Sequence, residues 1–320
     1  MDSVAEDGHS GRRTVAELTQ WSEQQPVTLL SLAGLGSWSA VDEREGEMQS
    51  VATRLRTLDG LYLAGTYTRP DSEPRHAVLL VHGAGVTREE GGFFARVAQG
   101  LSSAGIASLR FDLPGHGESE GRQEDLTLSA MLNVVQSGLD HLRSVSGMTS
   151  TSVVAASFSG GISAYYAATK PQELASLVLL NPLIDYKRRF VDEKRAWATG
   201  TIDEKAGRQL LEQGYVGHSP TFRLGRPILN EVFWLQPRAV LGQIVAPTLI
   251  VHGTRDTFIP VESSREADRQ LRCTHRLVEI EGAQHGFAVH DDPTYADPQS
   301  QKWQAFVIDT ITDWISDCAS

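Results

Sequence analysis

Short apolar runs alternate with helical stretches over most of this 320-residue chain. The apolar runs predict buried strands over residues 77–82, 106–112, 152–156, 177–181, 247–252 and 276–280. The stretches with helical spacing are residues 92–103, 126–143, 157–169, 261–271 and 300–315. Strands that alternate with helices in this way form a mostly parallel sheet covered by helices on both faces. We therefore predict an α/β fold.

The regions before and within this alternation predict the domain organisation. Runs of alternating polarity over 51–58 and 61–67 flank an Asp-Gly pair, which predicts an N-terminal antiparallel hairpin. Residues 183–244 have helical texture and no convincing strand. An insertion at this point lies over the carboxyl ends of parallel strands, where ligands bind. We therefore predict a helical cap over 183–244, an α/β core over 51–182 and 245–320, and an N-terminal extension over 1–50. This extension is partly disordered at its polar start, with a helix over 14–23.

The composition argues against several classes of partner. A formal net charge of −11 disfavours nucleic acid and anionic membrane surfaces. The apolar stretch 27–41 is too short to span a bilayer, and the first residues lack the pattern of a secretory signal. Two cysteines, Cys273 and Cys318, are too few for a disulfide framework. We therefore expect a cytoplasmic protein with free thiols and no nucleic-acid or membrane partner.

Two polar side chains follow apolar runs near the end of the chain. Asp256 follows the run 248–252 and His285 follows the run 277–280, so both lie on loops at the same edge of a parallel sheet. A buried carboxylate bonded to an imidazole fixes its tautomer and stabilises its cation, so the pair needs only a nucleophile to form a catalytic triad. Ser157 supplies one, and the chain order Ser, Asp, His is that of the α/β-hydrolases.

Two serines compete for the place of the nucleophile. Such a serine lies on a sharp strand-to-helix turn, which requires small residues two positions before and after it. Both Ala-Ala-Ser157-Phe-Ser and Ser-Phe-Ser159-Gly-Gly meet this requirement. The apolar run 153–156 leads directly into Ser157, whereas a nucleophile at Ser159 places a polar serine inside the strand. We favour Ser157 and keep Ser159 as the alternative.

Further motifs resemble those of the α/β-hydrolase superfamily and cover roughly residues 50–290 in the family's order. They are His82-Gly-Ala-Gly, Asp112-Leu-Pro-Gly-His-Gly-Glu-Ser, Gly253-Thr-Arg-Asp-Thr-Phe-Ile-Pro and Gly282-Ala-Gln-His-Gly. The turn at Lys170-Pro matches the family's spacing back to Ser157. The Ala-x-Ser-x-Ser elbow resembles in particular the acyl-carrier-protein thioesterases of bacterial bioluminescence.

The resemblance implies roles for residues around the triad. It places the oxyanion hole at the backbone amides of Ala84 and Phe158. It gives His82, Asp112 and His116 a structural role, in which they brace the loops beside the site.

Two residues are alternatives for the acid and the base. Asp185 follows the strand over 177–181, where some family members carry the acid, and His290 lies close to His285 in the sequence. The Gly-x-x-Asp-x-x-x-Pro setting of Asp256 favours Asp256 as the acid. The glycines on either side of His285 favour His285 as the base.

The remaining motifs bear on cofactors and on the substrate. No Cys, His or Asp cluster has metal-ligand spacing, and no dinucleotide or P-loop fingerprint occurs, so we predict no cofactor and no metal. The basic segment 186–195 either docks a carrier or forms a solvated surface of mixed charge, which we favour. Six aromatic residues of the cap line an acyl pocket or pack the cap on the core: Phe190, Trp197, Tyr215, Phe222, Phe233 and Trp234.

The sequence therefore predicts a serine hydrolase. It cleaves a carboxylic ester or an acyl thioester of a small molecule, free or bound to a carrier protein, through an acyl-enzyme intermediate. An acyltransferase or cyclase would use the same triad with an alcohol or an amine as acceptor. A third hypothesis is a ligand-binding protein that has this fold and no catalytic activity. A homodimer is left open, since residues 1–50 offer a surface for a second copy.

Overall fold

The computed structural model describes residues 49–197 and 199–319. The disordered start and the helix over 14–23 that we predicted, and almost all of the N-terminal extension, lie outside the described residues.

Ten strands and seven helices follow one another along the described chain. The strands are β1 (Gln49–Arg56), β2 (Tyr62–Arg69), β3 (His76–Val81), β4 (Ile106–Phe111), β5 (Thr151–Ala156), β6 (Leu177–Leu180), β7 (Tyr215–Ser219), β8 (Phe222–Gly225), β9 (Thr248–Gly253) and β10 (His275–Ile280). The helices are α1 (Phe93–Ser103), α2 (Leu128–Ser146), α3 (Phe158–Thr169), α4 (Glu204–Gln213), α5 (Arg226–Glu231), α6 (Val261–Asp268) and α7 (Pro298–Ala319). No helix among the described residues is long and apolar enough to cross a bilayer.

Eight of the strands form one sheet, in the order β1-β2-β4-β3-β5-β6-β9-β10. The pairs β1–β2 and β2–β4 are antiparallel, and the other neighbours are parallel. The predicted α/β fold, with a mostly parallel sheet and an N-terminal antiparallel hairpin, is confirmed.

The core lies on both faces of this sheet. Every residue of β3, β4, β5 and β9 is buried, because strands covered on both faces are apolar throughout rather than alternating. Successive side chains point to opposite faces. Leu79 and Leu109 pack with residues of α2 and α3, whereas Val78 and Leu80 pack with residues of α1 and α7.

The N-terminal hairpin has a longer loop than an Asp-Gly turn implies. The last strand pair is Arg56 with Tyr62, so the connection is residues 57–61 rather than Asp-Gly alone. Thr57 closes this loop: its N–H donates to the Leu61 carbonyl at 2.9 Å, and its hydroxyl accepts from the Leu61 N–H at 2.9 Å. The side chain of Thr57 thus ends the strand pairing before Asp-Gly is reached.

The segment between β6 and β9 contains more than helices. It holds α4 and α5, as predicted, but also the antiparallel hairpin β7–β8, which the sequence analysis missed. The hairpin docks on the segment before α2, where the Gln123 side chain bonds to the Thr221 carbonyl at 3.1 Å and to the Arg223 N–H at 3.1 Å. The division into core and cap, and the role of this segment as a cap, stay predictions.

Candidate active site

Ser157 lies at the end of β5, one residue before α3. Its backbone has φ 50° and ψ −118°, a left-handed conformation that costs a non-glycine residue about 1–3 kcal/mol. Three backbone hydrogen bonds hold it. The Ser157 N–H donates to Leu180 O at 2.9 Å, and its carbonyl accepts from Gly160 at 3.0 Å and from Leu183 at 2.8 Å. The sharp strand-to-helix turn predicted from the sequence is therefore present at Ser157.

The small residues after Ser157 allow a close approach of α3 to the segment that follows β6. A Cβ on Gly160 would lie 2.5 Å from Pro182 Cβ, and one on Gly161 would lie 2.5 Å from Leu183 O. Neither space admits a side chain. The glycines thus bring Leu183 close enough to bond to Ser157.

The two candidate serines lie in different surroundings. Ser157 Oγ is 3.0 Å from His285 Nε2. Ser159 is fully buried, and its hydroxyl donates to the His82 carbonyl at 2.6 Å. The structure therefore brings Ser157 to the imidazole and directs Ser159 into the packing beneath the site.

His285 connects Ser157 to Asp256. Its Nδ1 lies 2.6 Å from Asp256 Oδ2. An ionised carboxylate only accepts hydrogen bonds, so Nδ1 carries the proton and Nε2 is left to accept from the Ser157 hydroxyl. This is the tautomer that a general base at Nε2 requires.

The Asp256 carboxylate is held from several sides. Its Oδ1 accepts from the N–H groups of Phe258 at 2.8 Å and Ile259 at 2.9 Å, and His252 Nε2 lies 3.4 Å from Oδ2. Burial raises the pKa of Asp256, but the hydrogen bonds from His252 and His285 outweigh it and hold that pKa well below its usual range. The carboxylate is therefore ionised at neutral pH.

The two alternatives lie elsewhere in the structure. Asp185 accepts from the Arg188 N–H at 2.9 Å and lies 3.6 Å from the Arg238 guanidinium. His290 is exposed and lies 2.9 Å from the carboxylate of Asp291. Neither has a hydrogen bond to Ser157 or His285 among the described residues.

His82 and His116 brace the loops around the site. His82 Nδ1–H donates to Gly83 O at 2.7 Å, and its Nε2 accepts from the Leu113 N–H at 2.8 Å. Burial, aided by His116, lowers the pKa of His82 to about 3, so it stays neutral. His116 Nε2 in turn accepts from the Gly85 N–H at 3.0 Å.

Asp112 joins the same loops through a charged contact. It pairs with the guanidinium of Arg88 and accepts from the N–H groups of Arg88 at 2.7 Å and Glu118 at 2.9 Å. All of its contacts run to neighbouring loops, as a structural role requires.

The predicted oxyanion donors are the amide of the residue after Ser157 and that of a residue in the wall of the cavity beside Ser157. Phe158 is the first residue of α3, and Ala84 lines the same cavity as Ser157 and His285. Neither the Ala84 nor the Phe158 N–H has an acceptor among the described residues. Two unpaired amides beside a serine hydroxyl are what an oxyanion hole requires.

The same cavity contains two residues that the sequence analysis did not single out. Its volume is about 130 Å³, and Glu90 and Tyr295 form part of its wall. Glu90 and Tyr295 lie on loops, well after the preceding strand, and no recognisable sequence motif surrounds either residue. The sequence alone therefore does not identify them as site residues.

Aromatic side chains from the segment between β6 and β9 cover Phe158. The rings of Phe222 and Phe190 lie 5.4 Å and 6.3 Å from that of Phe158, and both are buried. Phe233 and Trp234 are exposed, so they do not contribute to this aromatic packing. Trp197 and Tyr215 are partly buried, so the predicted set divides into buried, partly buried and exposed residues.

Ion pairs within the chain involve part of the basic segment 186–195, and the two cysteines form no disulfide. Lys187 pairs with Asp192 at 2.7 Å and Arg188 with Glu193 at 2.9 Å, which gives the mixed-charge surface that we favoured. Cys273 and Cys318 are both free. Within residues 49–197 and 199–319, no group of three or more His, Cys, Asp or Glu side chains could hold a metal ion.

Comparison with known proteins identifies the family of this chain. The model of the alpha/beta hydrolase family matches residues 78–296. The chain belongs to this family. It is 31% identical to the monoglyceride lipase of Rattus norvegicus, over 71% of this chain and 80% of that protein. It is 26% identical to the monoacylglycerol lipase of Mycolicibacterium smegmatis, over 77% of this chain and 90% of the relative. These relatives and the family show an ester-hydrolysing enzyme.

A solved structure shares the fold. Est1E from Butyrivibrio proteoclasticus superposes with a TM-score of 0.65 at 20% identity, over 83% of this chain and 99% of Est1E. At this identity the likeness supports the architecture, which agrees with the sheet order described above.

Proposed function

We propose that this enzyme cleaves carboxylic esters of small molecules, with Ser157 as the nucleophile, His285 as the general base and acid, and Asp256 as the residue that orients His285. The observation that carries the proposal is the unbroken hydrogen-bond chain from Ser157 Oγ through His285 to Asp256, with lengths of 3.0 Å and 2.6 Å. This hydrogen-bond chain begins at Ser157, and the left-handed turn at Ser157 directs its hydroxyl toward the cavity.

The reaction has two half-reactions. His285 Nε2 takes the Ser157 proton as Oγ attacks the carbonyl carbon, and then gives that proton to the departing alcohol. This leaves an acyl group on Ser157. Water, deprotonated by His285, then attacks the acyl-enzyme and releases the acid. Asp256 stabilises the imidazolium that forms in both halves.

The carbonyl oxygen becomes negative during each attack. We assign the Ala84 and Phe158 amides to this charge, because both are unpaired and both adjoin Ser157. Removal of one such donor costs about 3 kcal/mol of transition-state stabilisation in serine hydrolases. The loop hydrogen bonds of His82 and His116 support the Ala84 side, since they fix residues 83 and 85 next to it.

The relatives support acyl glycerols as a first substrate class to test, since two of them are named for lipases of monoacylglycerol. A thioesterase would use the same groups. Docking of an acidic carrier at the segment 186–195 gains little support, because Lys187 and Arg188 are already paired within the chain.

The test is intact-mass labelling with a fluorophosphonate, together with hydrolysis of 4-nitrophenyl butyrate. We expect a single adduct and turnover in wild type and in Ser159→Ala, and neither in Ser157→Ala. Ser159→Ala is the matched control, because it removes a hydroxyl two residues away that bonds to His82. An adduct that persists in Ser157→Ala would disprove the assignment.

A second measurement separates the related reactions. Turnover of butyrate oxoesters and thioesters with equal acyl chains ranks the two leaving groups. Product analysis with added alcohol separates hydrolysis, which yields free acid, from acyl transfer, which yields a new ester.

A further inference from the structure

The cavity beside Ser157 has an unusual combination of walls. Around Ser157 and His285 it presents one carboxylate, Glu90, and three aromatic rings, those of Phe93, Phe287 and Tyr295. Among the described residues, no lysine or arginine lines it. The described wall thus joins a carboxyl group to aromatic residues beside the candidate catalytic residues. Burial raises the pKa of Glu90, while the hydrogen bond from the Gly83 N–H and the nearby His285 act to lower it.

Glu90 lies close to the reacting serine. A Cβ built on Gly83 would lie 3.2 Å from Glu90 Oε1 and 3.6 Å from Ser157 Oγ, so the carboxylate and the hydroxyl flank the same point of the backbone. Glu90 Oε1 accepts from the Gly83 N–H. Its other oxygen has no hydrogen-bond or ion-pair partner among the described residues. One carboxylate oxygen is thus free to bind a group in the cavity.

The backbone around this cavity is held in an unfavourable conformation. Glu90, Phe287 and Tyr295 have φ values of 47°, 57° and 54°, in the left-handed region that costs a residue with a side chain about 1 kcal/mol or more. Such conformations concentrate at ligand sites, because the surrounding structure must compensate for them. Three residues with such conformations thus belong to one small wall.

Tyr295 is fitted into a slot between two glycines. A Cβ on Gly91 would lie 2.8 Å from Tyr295 Cε2, and one on Gly286 would lie 2.5 Å from its hydroxyl oxygen. Burial raises the pKa of Tyr295 well above its usual range, so its side chain is neutral. The hydroxyl has no hydrogen-bond partner among the described residues. It can accept from a ligand next to His285.

Aromatic rings and a carboxylate together favour one kind of group. The faces of aromatic rings attract cations. Phe287 is fully buried and Phe93 is nearly so, and the two rings pack edge to face with centroids 5.9 Å apart. Tyr295 is the partly exposed aromatic residue of this wall. A cavity volume of about 130 Å³ is several times what one water needs, about 10–15 Å³ in the same measure. A small amine fits this space beside the Glu90 carboxyl group.

We propose that this cavity is a subsite for a protonated amine carried by the ester substrate within a few bonds of the scissile carbonyl, with Glu90 and Tyr295 as its hydrogen-bond acceptors. The proposal rests on the proposed function, in that Ser157 attacks the same ester. It makes Glu90 a specificity residue. An ammonium group held by Glu90 also stands beside His285 when the imidazole becomes cationic, and the carboxylate offsets the repulsion between the two charges.

The test compares esters that differ only by amine against methyl. On the acyl side the pair is the 4-nitrobenzyl esters of alanine and of isobutyric acid. On the alcohol side it is the butyrate esters of 2-aminoethanol and of 1-propanol. Each kcat/KM is measured at pH 6.5, where the amines are protonated, for wild type and Glu90→Gln. The two pairs show which side of the ester carries the amine.

We expect Glu90→Gln to lower kcat/KM by about 10- to 100-fold on the amino ester of one pair, the loss of a charge-assisted hydrogen bond, and by less than about threefold on its methyl partner. The carbonyl of glutamine can still accept from Gly83. Glu89→Gln is the matched control, since the Glu89 carboxylate pairs with Arg110 at 3.1 Å and does not line the cavity. It should leave both rates unchanged.

Equal losses on both members of each pair would show that Glu90 only positions the Gly83 loop, and would overturn the proposal. Unchanged rates on the amino esters would overturn it as well. Fluorophosphonate labelling of Glu90→Gln confirms that the variant folds with a reactive Ser157. Failure of the proposed function has a different signature, since wild type would then hydrolyse neither the isobutyrate nor the propyl ester.

Discussion

Replacement of Asp256 by asparagine tests the proposed role of the carboxylate most directly. Oδ1 accepts from two backbone N–H groups, and the asparagine oxygen can keep both bonds. Its amide nitrogen then takes the place of Oδ2, 2.6 Å from His285 Nδ1. Two donors would face each other there. His285 therefore moves its proton to Nε2, where it can no longer accept from Ser157.

The expected loss has two parts. The imidazolium charge is spread over the ring, about 4 Å from the carboxylate, and at an effective dielectric constant of about 20 the lost attraction is about 4 kcal/mol. That corresponds to about 10³-fold in kcat. The unfavourable tautomer adds about another tenfold, so Asp256→Asn should lower kcat by about 10⁴-fold, as in serine proteases. KM should change little, because Asp256 lies behind His285 and not in the cavity wall.

The assay is steady-state hydrolysis of 4-nitrophenyl butyrate, with urea unfolding to show that the variant is folded. The unpaired donors should lower the free energy of unfolding by about 1–3 kcal/mol. Asp185→Asn is the control and should keep its turnover, since Asp185 bonds to Arg188 rather than to His285. More than about a tenth of wild-type kcat in a folded Asp256→Asn would refute the reasoning about the tautomer.

Three other predictions concern stability. Ser159→Ala leaves the His82 carbonyl without its donor at 2.6 Å. It should lower the free energy of unfolding by about 1–3 kcal/mol in urea melts while the fluorophosphonate adduct persists, and an unchanged midpoint would contradict this. The pKa of His82 is about 3 in the folded state and about 6.5 in the unfolded chain. The contribution of neutral His82 to the free energy of unfolding is therefore complete above pH 6.5 and is lost as the pH falls toward 3. Urea melts should show this as up to about 1.4 kcal/mol per pH unit, which His82→Gln removes; the same slope in both proteins would argue against a buried neutral His82. Gly161→Ala places a methyl 2.5 Å from Leu183 O and should cost about 1–3 kcal/mol in thermal melts, with Gly207→Ala as a control because nothing lies within 4 Å of its Cβ position.

Most of the core could be predicted because its strands are buried on both faces. The apolar run over residues 153–156 marks the end of β5, which covers Thr151–Ala156. Helix limits were less sharp. We predicted a helix over 126–143, whereas α2 begins after Thr127, whose hydroxyl accepts from the Ala130 N–H at 2.9 Å, and ends at Ser146. Ser157, Asp256 and His285 could be proposed as site residues because Ser157 follows an apolar run directly and the other two lie on the loops that follow such runs.

The missed features depend on contacts between distant segments. β7 has partly exposed residues and no clear alternation, and it is a strand because β8 pairs with it and Gln123 holds the turn. Glu90 is near Ser157 only because its loop folds back on Gly83. Tyr295 reaches the cavity through space left by Gly91 and Gly286. The helix and strand propensities of neighbouring residues do not encode contacts between distant segments.

The sheet and the segment between β6 and β9 supply different parts of the candidate active site. Ser157, Asp256 and His285 each stand at the end of a different strand, β5, β9 and β10. The hydrogen bonds between the strands therefore fix the relative positions of these three residues. The aromatic residues over Phe158 come from the segment between β6 and β9. Selection, or an engineer, can rewrite that segment and leave the hydrogen bonds between the strands untouched. The positions of the three proposed catalytic residues can thus stay fixed in a lineage while the aromatic residues over Phe158 change.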